Sequence, residues 1–125
     1  MKIIILFILI LPITTYAGCD NLISYLNKEH PNRIHTQAYG YSIDKLVIFE
    51  NNNKAPGSSL SVVECINGKY KTISTFKIKA KTIANLEFDE IAGTVIVILS
   101  VDPPKTGYIE KKNGKYVFTH GLYER

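Results

Sequence analysis

Three patterns of apolar and polar residues succeed one another along the chain. The first is an unbroken apolar run, "IIILFILIL" (Ile3–Leu11), preceded by Lys2 and followed by Pro12 and a short polar segment. The second is a stripe with helical spacing. In "DNLISYLNKE" (Asp20–Glu29), Leu22, Ile23 and Leu26 share one side, Asp20 is placed to cap or to sit in the first turn, and His30-Pro31 ends the run. From Arg33 onward the pattern is that of strands. "KLVIFE", "SLSVVECI", "KYKTISTFKIKA", "LEFDEI", "TVIVILSV" and "KYVFTH" are rich in β-branched and aromatic residues, and Gly, Pro and Asn clusters separate them.

Two Asn-Gly pairs, Asn67-Gly68 and Asn113-Gly114, stand between strand-like runs. Such pairs favour type I′ turns, because both central residues need positive φ. The tetrapeptide "NGKY" recurs at both places with a glutamate three residues earlier, Glu64 and Glu110. The spacing matches a propeller blade, but two copies cannot close a propeller, so shared hairpin chemistry explains the repeat. "TVIVILSV" (Thr94–Val101) is apolar at every second position in both phases, the mark of a strand covered on both faces, and the leading helix is available to cover one. In "FKIKAK" (Phe76–Lys81) and "LEFDE" (Leu86–Glu90), lysines and carboxylates alternate with apolar residues. A hairpin through Thr82–Ala84 would set Lys79 against Glu87 and Lys77 against Asp89. The expected fold is α+β and mostly β: a short N-terminal helix packed on an antiparallel sheet of about six to eight strands with Asn-Gly hairpins, of barrel or sandwich type.

The opening run has the charged, apolar and polar parts of a secretory signal, with Thr15 and Ala17 at the small-residue positions before a cut. It is much shorter than the ~20 residues of a bilayer-crossing helix. Residues 1–17 therefore read as a cleaved leader and residues 18–125 as a single globular domain. Without Lys2 the balance is 14 basic to 11 acidic residues, too mild for a nucleic-acid binder.

"AGC" (Ala17–Cys19) resembles the end of a bacterial lipobox, which implies an acylated Cys19 and a membrane-attached lipoprotein; Tyr16 stands where that motif usually has Leu. Cysteine parity points the other way. Cys19 and Cys65 are the two cysteines of an exported chain and read as one disulfide.

Catalytic signals are weak. His30 and His35, with Pro31 between them, fit no zinc spacing, and His120 and Asp44 add no recognisable motif. "PGSSLS" is not a nucleophile elbow, and Glu87 and Asp89 are accounted for by lysine partners. The residues imply no metal and no cofactor. Binding features are stronger. His35, Gln37, Tyr39 and Tyr41 alternate on one face of an extended segment, and tyrosines are enriched at interfaces. Pro103 and Pro104 stiffen a loop that presents Lys105. The sequence thus leads to an expectation of a periplasmic or secreted bacterial protein-binding module, non-catalytic and of inhibitor or immunity type, directed at an envelope enzyme or toxin. An envelope lipoprotein with a structural role, and a small hydrolase or toxin using His35 or His120, are the alternatives.

Overall fold

The computed structural model describes residues 19–51, 58–79, 83–100 and 105–120. These form a helix, α1 (Leu22–Glu29), and the strands β1 (Arg33–Ala38), β2 (Lys45–Asn51), β3 (Ser58–Ile66), β4 (Lys69–Ile78), β5 (Ile83–Asp89), β6 (Thr94–Leu99), β7 (Lys105–Lys112) and β8 (Lys115–His120). The chain is mostly β. Its strands make two antiparallel sheets of four, ordered β1-β2-β3-β4 and β5-β6-β7-β8, and the sheets do not close into a barrel.

The layers follow from the alternation of side chains along each strand. Val47, Phe49, Leu60, Val62 and Ile78 of the first sheet pack on Leu86, Val95, Val97, Leu99, Ile109 and Tyr116 of the second. In β2, which has apolar residues in both phases, Leu46 and Ile48 point the opposite way. With Val63, Tyr70, Leu26 and Cys19 they form a second core beneath the helix. The strands covered on both faces are therefore β2, buried from Leu46 to Phe49, and β3, buried from Leu60 to Val63. The order of layers is helix, first sheet, second sheet.

The expectation that the helix covers β6 is corrected by this arrangement. On β6, Val95, Val97 and Leu99 are buried between the sheets, while Ile96 and Ile98 on its other face are half-buried. The helix lies on the first sheet because Cys19, just before it, is bonded to Cys65 on β3, with a Cα–Cα distance of 5.7 Å. Asp20 does not cap it: Asn21 holds that place at φ 62°, without a side-chain cap, and Ile23 faces solvent. At the other end the His30 N–H donates to Leu26 O at 2.8 Å.

The expected hairpin of "FKIKAK" with "LEFDE" does not form. Lys77 lies opposite Ser59 of β3, and Glu87 and Asp89 lie opposite Ile96 and Thr94 of β6. The apolar half of the pattern is satisfied across layers instead of across neighbouring strands: Phe76, Ile78, Leu86 and Phe88 all pack in the core between the sheets. Thr82 of the expected loop is outside the described residues.

Candidate functional site

Four connections gather at one end of the sandwich: residues 39–44, Asn67-Gly68, residues 90–93 and Asn113-Gly114. Each is built by a local device. The Asn-Gly turns hold φ of 53° and 80° at Asn67 and Gly68, and of 51° and 80° at Asn113 and Gly114. These values put both central residues in the left-handed region that a type I′ turn needs. In the β5–β6 turn, Asp89 Oδ1 accepts the Ile91 N–H at 3.0 Å and the Ala92 N–H at 3.3 Å. The Gly93 N–H closes back on Asp89 O at 2.8 Å.

A row of aromatic rings crosses this end. Tyr41 meets Phe88 edge-on at 5.9 Å between centroids, Phe88 meets Tyr39 at 5.8 Å, and Tyr39 meets Tyr116 at 5.7 Å. Each separation lies in the favourable range for ring pairs. Each phenol has an acceptor: the Tyr41 O–H donates to the Glu90 carboxylate, that of Tyr39 to Gly93 O at 2.8 Å, and that of Tyr116 to the Glu64 carboxylate. Lys111 Nζ stands 5.3 Å above the Tyr116 ring, close enough for cation–π attraction.

Burial is the main cause that raises the Tyr39 phenol above its ordinary value. The charge of Glu110 adds to it, and the backbone N–H of Lys111 partly offsets it. Burial, then the hydrogen bond to Glu64 and the charges around it, push Tyr116 far up. Both phenols stay protonated and remain donors. On this braced base Tyr41 is 83 % exposed, Ile91 95 % and Ile43 52 %.

A second constellation lies on the helix side of the first sheet. His30 is 5 % exposed. Its Nδ1 donates to Glu50 Oε1 at 2.5 Å, and its Nε2 lies 2.8 Å from Thr72 Oγ1. Tyr25 Oη lies 2.7 Å from the same Thr72 oxygen. His30 Nε2, the Thr72 hydroxyl and the Tyr25 phenol are thus joined in one chain of hydrogen bonds that ends on the Glu50 carboxylate. Hydroxyl, imidazole and carboxylate stand in the order of a nucleophilic relay. The imidazole is buried and Thr72 is exposed, and the network fastens the end of α1 to β2 and β4. Its partners are 20 and 42 residues from His30, a separation no local motif signals.

The residues singled out in the sequence separate into groups. Tyr39 and Tyr41 meet on Phe88. His35 and Gln37 lie farther along β1, half-buried; the His35 ring lies tilted against Phe49 with 6.1 Å between centroids, and Gln37 Nε2 donates to Ala38 O at 3.2 Å. Lys105 begins β7 at the opposite end, half-buried, and Pro103 and Pro104 are outside the described residues, as is the side chain of His120. Ile43 and Ile91, both exposed, and Phe88 and the buried Tyr116 complete this end; Phe88 and Tyr116 belong to the "LEFDE" and "NGKY" patterns, which signalled strands and turns and not a site. Among the described residues no group of three or more His, Cys, Asp or Glu side chains is placed to hold a metal ion. No described helix is long and apolar enough to cross a membrane. Comparison with protein-family models, with curated proteins and with solved structures returns no match.

Proposed function

We propose that the chain is an exported, non-catalytic protein-binding module of inhibitor or immunity type, acting on an envelope-directed enzyme or toxin in the periplasm or outside the cell. The observation that carries this reading is the near-complete exposure of Tyr41 and Ile91 on loops that are braced from below. An aromatic and an aliphatic anchor held in place lose little conformational entropy on docking, the property that makes such residues hot spots. The leader-like opening and the Cys19–Cys65 bridge are compatible with export. A bridged Cys19 and an acylated Cys19 exclude one another, and this reading takes the bridge.

The test is capture from envelope and culture fractions with the immobilised mature chain, over several salt concentrations. Tyr41→Ala/Ile91→Ser removes the anchors, and Tyr108→Ala alters the outer face of the second sheet as a control. The reading expects a discrete protein retained by wild type and control and lost with the double variant. No retention, or equal retention by all three chains, overturns it.

A further inference from the structure

Charge is divided sharply across the loop end. The two Asn-Gly hairpins, residues 64–71 and 110–116, hold Lys69, Lys71, Lys111, Lys112 and Lys115 against Glu64 and Glu110. That balance supplies three of the chain's four net positive charges. The hairpins are neighbours, since Tyr116 at the start of β8 donates to Glu64 near the end of β3. The β5–β6 hairpin, residues 83–100, is the opposite: Glu87, Asp89 and Glu90, with no lysine or arginine. Between them the 39–44 loop is balanced, Asp44 beside Lys45, and contributes Tyr41 and Ile43. One end thus carries a basic part, an acidic part and exposed apolar residues.

We infer that this end docks on a second copy of the chain. A two-fold axis lying in the plane of contact brings the β5–β6 turn of each protomer onto the lysine hairpins of the other. The self-complementary charge is what selects this occupant, because an isologous contact requires each surface to match itself after rotation. A uniformly acidic partner would meet Glu90, and a uniformly basic one would meet the lysines. In the dimer Glu90 at the turn, with Glu87 beside it on the outer face of β5, faces ammonium groups, Ile91 covers the methylene stems of lysines, and Tyr41 offers them a ring face. This inference is independent of the heterologous partner proposed above. If both hold, the partner competes with the second copy for Tyr41 and Ile91.

The experiment is sedimentation velocity on the purified mature chain, from low micromolar to submillimolar concentration, at low and high salt. The wild type is expected to dimerise and to weaken with salt. Glu87→Lys/Glu90→Lys makes both parts basic, and Lys69→Glu/Lys115→Glu makes both acidic or neutral. Each variant alone is expected to dimerise about tenfold more weakly or not at all, and an equimolar mixture is expected to recover a heterodimer. Ile91→Glu, at a fully solvent-facing turn position, breaks the wild-type dimer without touching the core. Thermal unfolding of each variant checks that the fold is kept. A wild type that stays monomeric throughout, variants that dimerise as well as wild type, or a mixture that fails to pair each overturns the inference. These outcomes concern the purified chain alone, so they are distinct from failure to capture another protein.

Discussion

Replacing Thr72 by valine removes one hydroxyl and almost no volume, and this isolates the value of the His30 network. In the folded chain Thr72 Oγ1 lies 2.8 Å from His30 Nε2 and 2.7 Å from Tyr25 Oη. Tyr25 is half-buried and its hydrogen bond is exposed, so its phenol recovers a partner from water. His30 is 5 % exposed, so Nε2 reaches water less readily than the phenol does, although Thr72 beside it is exposed. The cost is then that of one buried, unmatched ring nitrogen, about 1–3 kcal/mol. Taking about 2 kcal/mol, and about 4–8 °C per kcal/mol for a domain of this size, the melting temperature falls by about 10 °C. Thr72→Ser keeps the hydroxyl and is the matched control, expected to lose less than half as much. Thermal and urea denaturation followed by circular dichroism measure both. If Val and Ser are indistinguishable and both within about 0.5 kcal/mol of wild type, the network does not fasten α1 to the sheet and the reasoning fails.

Other consequences are equally open to measurement. Gly107→Ala places a methyl 2.5 Å from Phe118 Cε1 and 2.6 Å from Cζ; the ring must shift, at a cost of about 1–3 kcal/mol in urea denaturation. Cys19→Ser/Cys65→Ser opens a link spanning a sequence separation of 46. The chain-entropy cost is about 4 kcal/mol, with the largest loss of amide-exchange protection expected in α1. Tyr39, Tyr70 and Tyr116 are all raised, in each case chiefly by burial. The unfolded chain therefore ionises these phenols first. Their contribution to stability is complete below about pH 10, the unfolded value, and is lost as pH rises through the folded values. Ultraviolet difference titration of the folded chain should show these phenols ionising after the others, with Tyr116 last; normal titration of all the tyrosines would contradict the packing of the ring row.

The mostly-β character and the short helix at Leu22–Glu29 were legible because they rest on local periodicity. Leu22 and Leu26 mark the helix, and β-branched alternation marks the strands. What periodicity cannot say is which apolar face meets which. Phe76 and Ile78 alternate with lysines, and Leu86 and Phe88 with acids, whether the two segments are neighbours in one sheet or lie in facing layers. The chain takes the second course. Likewise "TVIVIL" and "LVIF" are both apolar in two phases, and the Cys19–Cys65 bond decides that the helix covers Leu46 and Ile48 of β2. The loop end was legible through its two Asn-Gly turns and through Tyr39 and Tyr41. Phe88 and Tyr116 join them from strands 47 or more residues away, by long-range packing that no local pattern encodes.

The proposed function stands or falls with the docking of a protein partner on the loop end around Tyr41 and Ile91. Its most direct test is photo-crosslinking in the producing cell, with benzoylphenylalanine replacing Tyr41 in one strain and Tyr108, on the outer face of the second sheet, in another. A discrete adduct with a second protein species is expected from position 41 and none from position 108. An adduct from position 108 alone, or none from position 41, contradicts it.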